Sequence, residues 1–312
     1  MIHLEFRILK YFLAVARRGT ISRAAKDMNI SQPALSRQLM DLEEELGVKL
    51  LVRSKRSTTL TEAGYLLKKR AEEITELMDK TTEELSNARD GISGNIRIGC
   101  GETAGMRAVA HAIHEIREEY PFVHCHLFSM DDSGVKEQLD KGVLDFGVLV
   151  QPEAPKSYRY IELEHKDTWG VLMRKDSPLS NLDHICAEDL YGLPLIVSQQ
   201  ALANKELEGW FGRASEELNI IATYTLIYNA SLLAEEGVGY VLCLDRLLHL
   251  PQEGLLTFRP LSPPNICQIF FIWKRSQLFS RAASLLMEKL QKSNNPPAET
   301  PYFVPPPRNF PL

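Results

Sequence analysis

The 312-residue sequence has no run of roughly 20 apolar residues, so nothing in it reads as a membrane-spanning helix. Its first ten residues, MIHLEFRILK, carry charges every few positions and lack the apolar segment of a secretory signal. The five cysteines, Cys100, Cys125, Cys186, Cys243 and Cys267, are odd in number and scattered, with no C-x-x-C pair. That usage argues against a disulfide-stapled scaffold or a zinc finger and, without an export signal, points to a reducing cytoplasm. The H-E-x-x-H, G-x-S-x-G and P-loop patterns are also missing. Neither charge sign dominates: 36 Lys+Arg stand against 41 Asp+Glu, a net −5, which excludes a uniformly basic nucleic-acid coat. With 44% hydrophobic residues the chain is no disordered acidic solvator either, and its length suits two or three domains.

The charge is unevenly placed. Residues 1–60 hold 11 Lys/Arg and 6 Asp/Glu, a balance of +5, leaving 25 basic and 35 acidic residues for the remainder. A small basic end on an acidic body is the footprint of a nucleic-acid-binding module attached to a sensor or catalytic domain, although a solvated face gives the same count. The basic end reads as three short helices. Leu9, Phe12, Leu13 and Ala16 form one helical stripe. After the Arg18-Gly19 turn, Ser22 is placed to cap a second helix through Ala24, Ala25 and Met28. Asn29-Ile30 makes a tight connection, and Ser31 caps a third helix that tolerates Pro33 in its first turn. Leu35, Leu39, Leu42 and Leu46 point inward there, and Gly47 ends the helix.

Two helices joined by a three- or four-residue turn, the second exposing polar residues near its N-terminus, make a helix-turn-helix. The candidate DNA contacts on that helix are Ser31, Gln32, Pro33, Ser36 and Arg37. Gln32 donates and accepts in the pattern adenine requires, and Arg37 reaches guanine or a phosphate. Residues 50–60 read as two short strands around a basic turn, a wing carrying Arg53, Lys55 and Arg56 to the DNA backbone or minor groove. An ordinary helical hairpin with solvated charges is the competing reading.

The run Ala24-Ala25, Ser31-Gln32-Pro33-Ala34-Leu35-Ser36-Arg37-Gln38-Leu39, Leu42-Glu43 and Leu46-Gly47, followed by Leu50, Arg53 and Leu60-Thr61-Glu62-Ala63-Gly64, resembles the LysR family of bacterial transcriptional regulators. It departs at Leu51, where the family usually carries Phe, a change within the hydrophobic class. The resemblance implies an N-terminal winged helix-turn-helix (α with β wing), a long linker helix and a two-lobe α/β periplasmic-binding-protein-like effector domain.

Between Gly64 and residue 89 the sequence has neither Gly nor Pro. Leu67, Ala71, Ile74, Met78, Thr81, Leu85 and Ala88 alternate by four and three, a heptad seam that suits a partner helix. A single helix packed on its own domain is the alternative. The resemblance favours pairing, hence a homodimer or homotetramer in which two reading heads engage two DNA half-sites. Residues 90–94 form the expected hinge.

From residue 95 to 150 the pattern is strand–helix–strand–helix–strand, which gives a parallel sheet with right-handed crossovers. A second set of elements follows at 170–174, 187–190, 195–197, 202–218, 222–227, 231–236 and 239–243. A late strand at 266–273 and a helix at 280–291 are expected to return to the first lobe. Leu144-Asp145, Ser177-Pro178-Leu179, Asp189-Leu190 before Pro194-Leu195, and Glu236-Gly237-Val238-Gly239 extend the family resemblance over about residues 1–292. Ligands of open α/β sheets bind beyond the carboxyl ends of strands. That rule selects Cys100, Glu102, Met130, Leu149, Ser198, Gln199 and Tyr228 as candidate effector contacts. Thr103 stands where the resemblance implies a hydroxyl for a carboxylate effector. Glu102 in the same loop repels an anion unless it points away or meets a ligand amine.

Other chemistries are weakly supported. His111 and His114 lie off the apolar face of their helix, and His124 and His126 flank Cys125 on one strand; no metal site is expected. Cys100 has no orienting partner that would make it a nucleophile; redox sensing fits its position at a strand end better and stays open as a minor reading, with no resolving thiol identified. No cofactor is called for. Residues 293–312, SNNPPAETPYFVPPPRNFPL, hold seven of the 17 prolines and read as an extended tail outside the resemblance. The expected domains are thus a DNA-binding head at 1–60, a linker helix at 61–92, an effector domain at 93–292 and the tail. The expected partners are double-stranded DNA, a small-molecule effector with carboxylates among the candidates, and further copies of the chain, with no membrane. The rival reading is a small-molecule-binding or assembly module that does not act on DNA; a Cys-dependent enzyme is more remote.

Overall fold

The structure is a computed structural model that describes residues 4–54, 57–86, 92–151 and 153–293. The chain divides into two compact units, one through residue 91 together with 141–143, the other from Ile92 onward. Lys55, Arg56, the 90–91 portion of the expected hinge and the tail from residue 294 lie outside the described residues.

The first unit begins with α1 (Phe6–Arg18), α2 (Ile21–Asp27) and α3 (Gln32–Leu46). The hairpin β1 (Leu51–Arg53) and β2 (Thr58–Leu60) follows, and then the 25-residue α4 (Glu62–Ser86). Leu9, Phe12, Leu13, Ala24, Leu35, Leu39 and Leu42 meet in one core. Burying a leucine or phenylalanine side chain contributes about 1.5–3 kcal/mol, so these residues hold the three helices together. Two local expectations change. Val15 is buried and Ala16 only half-buried, because the inward stripe of α1 is wider than the one inferred. Thr20, not Ser22, is the N-cap position of α2, and its side chain makes no capping bond.

The expected seam of α4 splits. Ala71 is buried and Leu67 half-buried in the core of the chain's own winged-helix unit. Ile74 and Met78 are 43% and 47% exposed, and Thr81 is exposed as well. A heptad pattern specifies an apolar stripe without saying what covers it, and here the first two members are covered from within the unit. The side chain of Leu85, and Ala88 altogether, lie outside the described residues.

The second unit alternates β3 (Gly94–Cys100), α5 (Met106–Glu119), β4 (Val123–Ser129), α6 (Asp132–Asp140) and β5 (Phe146–Gln151). Next come β6 (Tyr158–Arg174), α7 (Ala187–Leu190), β7 (Leu195–Ser198), α8 (Gln199–Ala203) and α9 (Glu208–Phe211). The chain continues with β8 (Ile220–Tyr224), α10 (Ile227–Glu235), β9 (Tyr240–Leu244), β10 (Leu256–Pro260), β11 (Ile266–Lys274) and α11 (Arg281–Ser293). A nine-stranded sheet runs β4-β3-β5-β11-β6-β9-β7-β8, with β10 paired to β6.

The two lobes meet within this sheet. Strand β3 pairs parallel with β4 and β5, whereas β11 is antiparallel to both β5 and β6, so lobe 1 is mixed and not purely parallel. As expected, the late strand and α11 return to lobe 1: Phe271, Ala283 and Leu286 join Ile98, Val109, Phe146 and Val148 in its core. Strand β6 is 17 residues long, well beyond the expected 170–174, because its first part pairs β11 and its last part pairs β9 and β10. Gly170 is where it enters lobe 2; a Cβ there would run into the Phe258 ring. The region expected as one element at 202–218 breaks into α8, α9 and a single 3₁₀ turn, and β10 was not foreseen.

Candidate nucleic-acid interface and ligand cleft

The α2–α3 connection turns through Asn29 at φ +53°, a left-handed conformation that asparagine tolerates better than most residues. The Ala34 N–H donates to Ser31 Oγ at 3.3 Å, so Ser31 caps α3, with Pro33 in its first turn. Gln32, Pro33, Arg37 and Met40 are exposed on the face opposite Leu35, Leu39 and Leu42. The hairpin pairs Leu51 with Leu60 and Arg53 with Thr58. Arg53 Nη1 donates to Ser36 Oγ at 2.9 Å, which fastens the first wing strand to α3.

Glu43, missed in the sequence, organises this junction. It is 4% exposed, and its Oε1 accepts the N–H groups of Leu50 at 2.8 Å and Leu51 at 3.0 Å. Lys49 lies 3.3 Å and Arg53 3.7 Å from its other oxygen. Burial pushes the Glu43 carboxyl up, but the Leu51 and Leu50 amides and Lys49 outweigh it and hold the group below the usual carboxylate range. A negative charge late in an otherwise leucine-lined helix face was the available signal.

In the second unit a cleft of about 390 Å³ opens between the lobes. Of the candidate effector residues, Glu102, Met130, Ser198 and Gln199 line it. The other four sit elsewhere. Cys100 packs in the lobe 1 core, where burial and then the Glu102 carboxylate hold its thiol protonated. Thr103 is buried and its Oγ1 accepts the Gly105 N–H at 3.0 Å. Leu149 packs against Val135, Leu139 and Leu144, while its neighbour Val150 reaches the cleft wall, because successive strand residues point to opposite faces. Tyr228, on α10, is 64% exposed and is not part of the lining.

Sequence reasoning missed Asp132, Trp169, Gln200, Glu206 and Tyr224, all lining residues. Two of them stand at the start of α6 and the end of β8, where the strand-end rule would have found them had it been applied to each crossover. Among the described residues, hydrogen bonds cross between the lobes at the cleft. The Ile227 N–H, first in α10, donates to Glu102 Oε2 at 2.6 Å, and the Asp132 N–H, first in α6, donates to Gln200 Oε1 at 2.9 Å. The Gly134 N–H and Ser133 hydroxyl donate to Asp131 Oδ1 at 2.7 and 3.0 Å, so α6 is capped by Asp131. Burial raises the Glu102 carboxyl, offset in part by the Ile227 amide. Burial likewise pushes Asp132 up to about 7, with Lys136 opposing and Glu206 reinforcing the rise.

Where β6 passes between the lobes, Asp167 is fully buried with His165 Nε2 at 3.1 Å, and burial raises its carboxyl despite the imidazole and the Thr103 hydroxyl. His111, His114, His124 and His126 are exposed, and among the described residues no three metal-ligating side chains gather. The five cysteines are free thiols. No described helix is long and apolar enough to cross a membrane.

A winged helix-turn-helix followed by a long helix and a two-lobe α/β ligand cleft defines a DNA-binding transcriptional regulator. Residues 6–65 match the family described as bacterial regulatory helix-turn-helix protein, lysR family, and residues 89–294 match the LysR substrate binding domain. The chain belongs to the LysR family. The Hca operon transcriptional activator HcaR of Escherichia coli (strain K12) is 28% identical over 282 residues, covering 88% of this chain and 93% of HcaR. YfeR of Shigella flexneri, described as an uncharacterized HTH-type transcriptional regulator, is 25% identical over 288 residues, covering 92% of this chain and 93% of YfeR. Full-length CbnR, solved with its target DNA, shares the fold at a TM-score of 0.73 and 21% identity, over 93% of this chain and 100% of CbnR. These relatives are regulators of transcription, and the protein is a regulator, not an enzyme.

Proposed function

We propose that the protein reads a two-half-site DNA element with α3 and the wing, and that a small-molecule effector in the interlobe cleft sets its affinity for that element. The base-reading residues are Gln32 and Arg37, with Ser31, Pro33 and Ser36 fitting the helix start to the groove. Arg53, Lys55 and Arg56 engage phosphate. The observation that carries the ligand half is the pair of cross-lobe bonds, Glu102 to the Ile227 amide and Gln200 to the Asp132 amide, at the rim of one cleft. A ligand that keeps or replaces those bonds has different affinity for different lobe arrangements, and only such a difference shifts their populations. The exposed Ile74 and Met78 on α4 support pairing of two copies, which brings two reading heads to half-sites one or more DNA turns apart.

Selection of duplexes from a random library by the purified chain tests the DNA half. Two related half-sites at fixed spacing are expected; retention without sequence enrichment, or none, overturns it in favour of the assembly-module reading. Coupling of about 1–3 kcal/mol, 5- to 150-fold in DNA affinity, is expected once a cleft ligand is added.

A further inference from the structure

We propose that the cleft takes a small organic cation, an amine or guanidinium carried on an apolar or aromatic body, and not a carboxylate; this rests on the reading of the cleft as the effector site. Four carboxylate side chains, Glu102, Asp131, Asp132 and Glu206, line the cleft, and none of the described lining residues is Lys, Arg or His. Two of the helix starts at the cleft, where an anion would settle, are already taken. Glu102 occupies the N-terminus of α10 and Asp131 caps α6, so backbone N–H groups at these two helix starts are answered by the protein's own carboxylates.

Asp132 gives the second, independent observation. It is 5% exposed, lines the cleft, and its Oδ1 is buried with no hydrogen-bond partner in the protein. A buried acceptor of this kind leaves a strong interaction unmade, and a carboxylate oxygen prefers a charged donor. Turned toward the cleft that the residue lines, this oxygen would meet a ligand ammonium as its charged donor. The basic side chain nearest along the helix, Lys136, lies one turn further in α6 and is absent from the cleft lining; it borders an adjoining groove that Asp132 and Glu206 also edge, and its Nζ stands 3.5 Å from Gln151 Oε1. Burial raises the Asp132 carboxyl by more than Lys136 and the Val150 amide lower it, so its charge is only partly answered within the protein. Glu206, held by the Asn204 amide at 3.0 Å, stands across from it on lobe 2. Trp169 and Tyr224 offer aromatic surface of the type that attracts cations, and Met130, Val150 and Leu244 suit an apolar body. The volume of about 390 Å³ is that of a small-molecule site.

Thermal unfolding of the full-length chain with phenethylamine, 1,4-diaminobutane, phenylacetate or succinate, each at equal millimolar concentration and matched ionic strength, tests the ligand class. At several times Kd a bound probe raises Tm by about 2–4 °C. The expected result is a rise with at least one amine and none with either acid, lost in Asp132→Asn and weakened at least tenfold in Glu206→Gln. Glu206 is half-buried, so its variant keeps the test intact should Asp132→Asn fail to fold. A rise with an acid alone, an amine shift unchanged in both variants, or no shift with any probe overturns the cationic class. If an amine binds through Asp132 and Glu206 while DNA affinity stays constant, the class stands and the effector reading falls.

Discussion

Glu102 of lobe 1 accepts the Ile227 amide of lobe 2 at 2.6 Å, so one lobe's carboxylate caps the other lobe's helix. The N-cap position of α10 is Leu226, which has no side-chain acceptor to offer, and Glu102 fills that role from 125 residues away in sequence. A charged acceptor on a helix-start amide contributes about 1.5–3 kcal/mol. Opening the lobes gives up that contribution.

Glu102→Ala is therefore expected to raise hydrogen exchange at the Ile227 amide by about tenfold or more, a loss of about 1.5–3 kcal/mol of local protection. Unchanged protection would mean that the amide finds another acceptor and that the interlobe cap carries no weight.

Asp132 gives stability a distinct pH dependence. Its folded-state pKa, pushed up to about 7 from 3.8, means the folded chain holds a proton that the unfolded chain has released. Its contribution is most favourable below the ordinary carboxylate range, erodes as pH rises from there to about 7, and is flat above. Asp132→Asn is expected to flatten the decline of Tm between acid and neutral pH and to melt a few degrees above wild type at pH 8. Parallel Tm profiles for the two proteins would show that Asp132 is ionised throughout.

Glu43 behaves in the opposite sense. Its lowered carboxyl contributes stability above the ordinary glutamate range and loses it as pH falls through the lowered value. Glu43→Gln is expected to cost about 1.5–3 kcal/mol near neutral pH, with a smaller penalty in acid. DNA affinity should fall alongside, because the carboxylate joins α3 to the first wing strand. A variant with wild-type melting at neutral pH would remove Glu43 from the junction.

Arg37 and the wing are expected to fail differently. Arg37→Ala should cost about 1–3 kcal/mol on the selected site and relax preference at one base position. An equal loss on every duplex would assign it to phosphate. Replacing Lys55 and Arg56 with alanine should lower the slope of log affinity against log salt by about one unit per lost phosphate contact. A slope that stays put takes the wing turn off the DNA.

The exposed α4 residues predict assembly. Ile74→Asp with Met78→Asp places two charges on an apolar stripe and is expected to shift sedimentation toward a single chain, with half-site cooperativity lost. Sedimentation equal to that of the wild type would locate pairing elsewhere.

The winged helix was legible because its signals are local: Ser31 as a cap, Gly47 at φ +68°, and leucines at helical spacing each decide their own structure. Lobe order was legible for the same reason, strand and helix alternating in short blocks. The reach of β6 was not, because residues 158–169 mix polar and apolar positions that acquire meaning only when β11 lies beside them. The cleft was half legible. Strand ends located Met130, Ser198 and Gln199, but β5 is buried on both faces, and its sequence gives no parity to choose Val150 over Leu149. Glu43 and Asp132 owe their chemistry to partners, or to a missing partner, that no neighbouring residue announces.

The return of the chain to lobe 1 orders the events of synthesis. Strand β11 lies between β5 and β6, and α11 covers the same core, yet both leave the ribosome after all of lobe 2. Most of lobe 2 is drawn from one continuous stretch that emerges before them, whereas lobe 1 waits with a gap in the middle of its sheet. Until residues near 290 are free, Phe146, Val148 and Ile98 lack the side chains of Phe271 and Leu286 that enclose them. A nascent regulator therefore carries an unfinished apolar sheet through most of its translation, and a chain stopped short of α11 is a natural substrate for chaperones and proteases.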